Sequence, residues 1–252
     1  MGIVVFRLDD IQDDWLVQPQ IAVMNLFRNN KHGSVPLSIG VIGRAFRKGT
    51  AIVEFVCESI ENNKWDCEIV CHGFSHRDFS ALHFTDQCYE FDEFFKVIKD
   101  VLPGYKVESF IPPFNRFNST TMSLVKKYEF SSVSALPGIN TVKDLFTKPA
   151  LLHCSTSTSG SQGATSEFRT ADFVIEEIEK QLQSKADWCV VMMHPQEFSI
   201  LLRDEVNDAS LQEMQIIIDW CVANNHELTT LSCLQKKTND LDYISTFFNE
   251  LK

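Results

Sequence analysis

No run of this chain approaches the roughly 20 consecutive apolar residues that carry a helix across a bilayer. Nor is a secretory leader expected from its first residues. Met1 leads at once into the short apolar run 2–6, with no basic start and no small-residue cleavage site. As it stands the chain is expected to be cytoplasmic; with a leader already removed it would be secreted. Basic clusters are also lacking, and 34 acidic against 23 basic residues leave a formal charge of −11. That balance argues against nucleic acid and against an anionic membrane surface as partners, and no protein partner is evident. None of the eight cysteines forms a Cys-x-x-Cys pair. Only Cys67 and Cys71, leading into His72, leave a cysteine-containing zinc site open. Cys189 and Cys221 sit in apolar runs and read as small core residues, and mostly free thiols are expected. With no internal repeat or linker and 44% apolar residues, the chain is read as one domain spanning 1–252.

What the chain does contain is alternation. Strand-like apolar runs are expected at 3–8, 35–42, 68–71, 107–111, 130–135, 150–153, 188–193 and 227–231. Amphipathic helices are expected at 19–29, 50–62, 86–101, 119–128, 170–184, 210–224 and 240–251, with a weak one at 142–146. Repeated βα units imply a parallel sheet covered by helices, and about eight units imply a closed or nearly closed barrel. The expected class is therefore α/β, a distorted (β/α)7-8, TIM-like barrel. Residues 155–166, rich in Ser, Thr and Gly, read as a flexible loop on its C-terminal face.

Chemistry-bearing residues stand where strands should end. Asp9-Asp10 follows Val4-Val5-Phe6. Adjacent side chains of a continuing strand point to opposite faces, so the two carboxylates converge only if the chain turns there; such a pair also serves as a cap or turn. His72 and His76 have the i, i+4 spacing that sets two imidazoles on one side of a helical turn, a common zinc arrangement. Gly73-Phe74-Ser75 between them carries no glutamate, so a base must come from elsewhere, and Asp9 is available. His194 ends the run Val190–Met193, and Pro195 stops that strand, placing the imidazole at the sheet's mouth. Pro112-Pro113-Phe114-Asn115 stiffens another strand end, where a backbone amide could serve as an oxyanion donor. Two imidazoles, a ligand carboxylate, a second carboxylate and a separate acid are what metal-assisted hydrolysis requires.

These segments, in this order, resemble the NodB-type polysaccharide deacetylases, carbohydrate esterase family 4, over about residues 3–231. Leu8-Asp9-Asp10 is similar to their Phe-Asp-Asp motif, which implies Asp9 as catalytic base and Asp10 as metal ligand. His72-Gly73-Phe74-Ser75-His76 resembles their second motif and implies His72 and His76 as metal ligands. Ile111-Pro112-Pro113-Phe114 is similar to the third, Arg-Pro-Pro-Tyr. Met192-Met193-His194 resembles the fifth, implying His194 as catalytic acid and Met192 in the acetyl pocket. The resemblance implies a NodB homology domain, Zn²⁺ with Co²⁺ or another first-row metal as a substitute, an acetylated glycan substrate, and contacts to it from Pro113, Phe114, Asn115, Met192 and Trp15.

Two departures matter. The family's third-motif arginine, which holds the catalytic Asp, is Ile111 here. Arg7, on the same strand face as Asp9, and Arg116, in the adjacent loop, are the two candidates to replace it. The family's fourth motif has no clear counterpart; Trp188 and Trp15 are the candidates for its pocket tryptophan. A non-catalytic carbohydrate- or metal-binding member, and an amidohydrolase acting on a non-sugar amide, are the competing expectations.

Overall fold

The computed structural model describes residues 2–61, 65–136, 152–158, 165–183 and 187–238. The chain begins with β1 (Ile3–Ile11), α1 (Val17–Arg28), β2 (Leu37–Val41), α2 (Ala51–Glu61) and β3 (Cys67–Cys71). It continues through α3 (Phe84–Val101), β4 (Ser109–Phe110), α4 (Ser119–Lys127), β5 (Ser132–Val133) and β6 (Leu152–His153). There follow β7 (Ser155–Thr158), β8 (Thr165–Phe168), α5 (Ala171–Gln183), β9 (Trp188–Met193), α6 (Asp208–Ala223), β10 (Glu227–Thr229) and α7 (Leu231–Lys237). Among the described residues, eight strands form one parallel sheet in the order β5-β4-β3-β2-β1-β9-β6, with β10 also against β1. Each of the eight expected strands corresponds to one of them. The architecture is the expected α/β one: a curled parallel sheet forming a distorted barrel, its helices alternating with the strands. Residues 137–151 and the expected helices at 142–146 and 240–251 lie outside the described residues.

Strand β1 is the spine. One edge pairs with β9 from Ile3↔Trp188 to Leu8↔Met193. The other takes β10 at Ile3–Val5 and then β2 from Arg7 to Ile11. Its period-two alternation sorts side chains between two cores. Val4, Phe6 and Leu8 join the large apolar layer beneath the helices. Val5 joins a smaller interior cluster with Val70, Ile111, Val190, Met192, Leu231 and Leu234. Arg7 and Asp9 continue that inner row.

The far end of the barrel was misjudged from the sequence at one point. The strand expected to run to Leu231 stops at Thr229, and Leu231 instead opens α7. Tertiary contacts start this helix: the Leu231 amide donates to Ser38 Oγ at 3.0 Å, and the Ser232 amide donates to the buried Glu68 carboxylate at 3.1 Å. Leu231 and Leu234 then enter the interior cluster. Burial raises the Glu68 carboxyl above its ordinary range despite hydrogen bonds from Ser109, Ser232 and Ser38. A second correction concerns residues 155–166: β7 and β8 are an antiparallel hairpin around this segment, paired from Ser155↔Phe168 to Thr158↔Thr165, and residues 159–164 lie outside the described residues.

All eight cysteines are free. Cys67 and Cys71 lie four residues apart along β3, about 13 Å at the strand rise, and both are buried in the helix-side core, so they cannot share an ion. No helix among the described residues is long and apolar enough to cross a membrane.

Because Leu234 fills the barrel interior, Leu234→Ala is expected to lower the unfolding free energy by about 2–5 kcal/mol, measured by urea denaturation. A loss below about 0.5 kcal/mol would mean that α7 does not seal this end.

Candidate active site

The mouth of the barrel is built from strand ends whose backbones depart from regular geometry. Strict alternation would turn Asp10 outward, beneath the helices. Asp10 instead adopts a left-handed conformation, φ 60°, and the β1–β2 register shifts between Leu8 and Ile11. This bulge keeps both carboxylates at the mouth although the strand runs on to Ile11. Gly40 on β2 permits the close approach beside them: a Cβ there would lie 3.3 Å from both Asp9 Oδ1 and Ile111 Cδ1.

Asp9 is 1% exposed and forms a two-pronged ion pair with Arg7, which is 0% exposed. Arg7 Nε donates to Asp9 Oδ1 at 2.8 Å and Nη2 to Oδ2 at 2.5 Å. The same guanidinium donates to Ser134 Oγ at 2.9 Å and Asn115 Oδ1 at 2.8 Å, and lies 3.2 Å from Met192 Sδ. Burial would raise the Asp9 carboxyl, but the Arg7 charge and hydrogen bonds, helped by His72 and His194, hold it below the usual range. Of the two candidate arginines, then, Arg7 supports Asp9. Arg116 is exposed and reaches Asp78 at 3.4 Å.

His72 is buried at the end of β3. Its Nδ1–H donates to the Ile111 carbonyl at 2.7 Å, which turns Nε2 toward Asp10 Oδ1, 3.2 Å away. His76 Nε2 lies 3.0 Å from the same oxygen. The donor atoms of Asp10, His72 and His76 all lie within 4.8 Å of one another, a spacing and donor set that fit a first-row divalent ion. Burial opposes the charge on Asp10, but hydrogen bonds from both histidines reverse this and hold it well below the carboxylate range.

The expected helical turn between the histidines is not there. Residues 72–76 form a loop with Gly73 at φ 74° and His76 at φ 56°. Glu90 of α3, 0% exposed, shapes it. Its carboxylate accepts from the Phe74 amide at 2.8 Å, the Ser75 amide at 2.7 Å and the Ser75 hydroxyl. The amides of Gly43 and Arg44 hold the loop from the other side through the Gly73 and Phe74 carbonyls. The sequence reading missed Glu90. Its signal was a carboxylate inside the buried stripe Gln87, Phe91, Phe94 and Ile98 of an amphipathic helix.

Pro113–Asn115 is a single 3-10 turn with both Phe114 and Asn115 left-handed, φ 57° each. The Asn115 and Arg116 amides close the turn onto the Pro112 and Pro113 carbonyls, and the Phe114 amide takes no part in that pair. The Phe114 ring is 54% exposed and sits 4.7 Å from the His76 ring. His194 follows β9, with Nε2 3.9 Å from Asp9 Oδ2 and Nδ1 3.4 Å from Glu197 Oε1. Burial alone would lower its pKa; the Glu197 hydrogen bond, with the charges of Asp9, Glu197 and Asp10, raises it to about 9.

The structure thus gathers Asp9, Asp10, His72, His76, Phe114, Asn115 and His194 at one end of the barrel. Pro113 and Met192 are buried among them, Met192 as the register partner of Arg7. Trp15 stands half-buried in the turn after β1, its carbonyl accepting from Gln20. Trp188 opens β9, paired with Ile3, roughly 20 Å of strand from His194, at the wrong end of the barrel for a pocket tryptophan. Asp13 is occupied by Arg47 through two bonds of 2.7 and 2.8 Å.

No protein-family model and no curated protein sequence matches the chain. Solved structures do. A Mycobacterium smegmatis protein assigned as a polysaccharide deacetylase superposes with a TM-score of 0.63 at 15% identity, covering 94% of this chain and 90% of that one. A family 4 acetyl xylan esterase from Clostridium thermocellum, in complex with a cobalt ion, gives 0.57 at 15% identity, covering 92% and 89%. A family 4 pseudoenzyme from Bacillus anthracis gives 0.59 at 10% identity, covering 93% and 65%. The chain has the fold of the NodB-type, carbohydrate esterase family 4 proteins.

In calorimetric zinc titrations, His72→Ala is expected to abolish tight binding, and Glu90→Gln to weaken it about 10–100-fold while the chain stays folded. Unchanged affinity in Glu90→Gln would show that the loop holds its shape without that carboxylate.

Proposed function

We propose that this protein is a metal-dependent hydrolase that removes N-acetyl groups from N-acetylglucosamine-containing oligo- or polysaccharides, releasing acetate. The observation that carries this reading is the convergence, at one mouth, of a three-donor metal set with a separate buried carboxylate, Asp9, and a separate half-buried imidazole, His194. Asp10, His72 and His76 would hold Zn²⁺, with Co²⁺ as an alternative. When bound, the ion supplies Lewis acidity, lowering the pKa of a water and polarising the acetyl carbonyl.

The chain's own groups supply the rest. Asp9, kept ionised by Arg7, accepts a proton from the attacking water. The Phe114 amide donates to the oxyanion as it develops, and the turn that aims it is tied through Asn115 to the same Arg7. His194, kept protonated by Glu197, gives its proton to the departing sugar nitrogen. Pro113, Asn115 and Met192 frame the acetyl group, and the exposed Phe114 ring and Trp15 offer faces to the sugar. The net reaction consumes one water and yields acetate and a glucosamine unit.

One observation favours a second reading. Ile111 stands where the resembled family has its arginine, and the fold also serves a pseudoenzyme, which suggests carbohydrate or metal binding without turnover. The Arg7–Asp9 pair weighs against it, because the support for the base is supplied from β1 instead of β4. A non-sugar amide is the remaining alternative as substrate.

Zinc-loaded protein is expected to release acetate from N-acetylglucosamine oligomers, and Asp9→Asn to retain zinc while losing about 10²–10⁴-fold in kcat. Zinc binding with no acetate from these oligomers would defeat the proposal in favour of a binding protein or of another amide or ester. A pH series tests His194. Its charged form persists below its ordinary pKa of 6.5 and is lost as pH rises through about 9, so kcat should fall on the alkaline side. Glu197→Gln should move that fall to lower pH; an unmoved alkaline limb would remove Glu197 from the assignment.

A further inference from the structure

We propose that a cavity beside His194 is a subsite for a sugar bearing a free ammonium group, so that the preferred substrate is a partly deacetylated chain; this rests on the glycan deacetylase reading above. The cavity has a volume of about 580 Å³, within the range of small-molecule sites. Gln196, two residues beyond His194 in the 3-10 turn Pro195–Phe198, lines it, as do the ends of β8 and α6 nearest that turn. It therefore opens off the same face of the barrel as the metal-ligand set.

Its lining has three parts, each matching one feature of a glucosamine ring. The first is an apolar wall of Phe168, Ile200, Leu201 and Leu202. Leu201 and Leu202 are left-handed, φ 51° and 58°, at the tip of a loop closed by the Ser199↔Val206 bridge and the Ile200 amide on the Glu205 carbonyl. The loop holds Leu201 73% exposed. Two adjacent branched residues in this region carry strain, and what the strain displays is an apolar surface suited to the C–H face of a sugar. The second part is polar: Gln196, Ser199 and Asn207 line the cavity, side chains of the kind that hydrogen-bond sugar hydroxyls. The third is charge. Among the described residues, the ionisable ones in the lining are Glu167 and Glu213, with no Lys, Arg or His. Glu213 is fixed in place, its Oε2 accepting from the Ala171 amide at 2.5 Å.

A neutral N-acetylglucosamine unit would satisfy the wall and the polar groups but bring no cation to the two carboxylates of the lining. An ammonium group answers them, and the net charge of −11 draws cationic chains and repels anionic ones. Hydrolysis of each acetamide leaves an amine that takes a proton from water. A unit deacetylated in one event thereby becomes the ligand that places its acetylated neighbour for the next.

The test is calorimetric binding of two tetramers, glucosamine and N-acetylglucosamine, to the zinc-loaded Asp9→Asn protein at low salt. The glucosamine tetramer is expected to bind about tenfold more tightly, with the difference shrinking as salt is raised. Glu167→Gln, at an exposed position, and Glu213→Gln, which keeps an acceptor for the Ala171 amide, should together erase the difference while binding of the acetylated tetramer stays within about twofold. Equal binding of the two tetramers, or a preference that survives both substitutions, overturns the subsite. Acetate release by the wild type is scored separately. A charge-dependent preference without acetate release keeps the subsite and removes the deacetylase reading. Acetate release without the preference does the reverse.

Discussion

The buried ion pair between Arg7 and Asp9 is the constraint around which the mouth of this barrel is organised. Two full charges removed from water carry a desolvation cost of several kcal/mol each, tolerated only where geometry and further hydrogen bonds offset it. Here the offset is nearly complete. Both carboxylate oxygens accept from the guanidinium, and the remaining donors reach Ser134 and Asn115. One side chain therefore sets the orientation of Asp9, ties down the Pro113–Asn115 turn and lies against Met192. Removing it would leave a carboxylate stranded in the interior, which is why the pair acts as a unit and not as a sum of contacts.

Above this pair the backbone stores local strain. Asp10, His76, Phe114 and Asn115 are all left-handed without being glycine, a conformation that costs of order 1 kcal/mol or more at each position. Such residues persist only where their surroundings over-determine them. The surroundings are visible: parallel strands below, Glu90 gripping the histidine loop, and Arg7 holding Asn115. Each irregularity turns a functional group toward the same volume, and a regular strand or helix at any of these positions would point it away.

Electrostatics at the mouth separates the roles of neighbouring groups. Asp9 and Asp10 are both pushed toward ionisation, one by an arginine and the other by two imidazoles, while His194 is pushed toward protonation by Glu197 and the two aspartates. A carboxylate pushed toward ionisation and an imidazole pushed toward protonation thus stand 3.9 Å apart. Opposed proton affinities at short range are the requirement for acid–base work on one bond.

Much of this was legible in the chain itself. Apolar runs marked where the eight sheet strands lie, and alternation along β1 already put Arg7 and Asp9 on one face. The spacing of acids and histidines after those runs marked the site, because in parallel βα units strand ends share one face. The sequence alone also determined that Ile111 could not steady a carboxylate. It could not reveal that Arg7 rather than Arg116 takes over, since that depends on which strand end lies across the barrel from Asn115 and Ser134. Nor could it place Glu90 over the histidine loop, turn the i, i+4 pair out of a helix, or start α7 at Leu231 on side chains from β2 and β3. Those outcomes rest on partners 15 to 193 residues away in the chain, and local pattern carries no information about contacts that only packing creates.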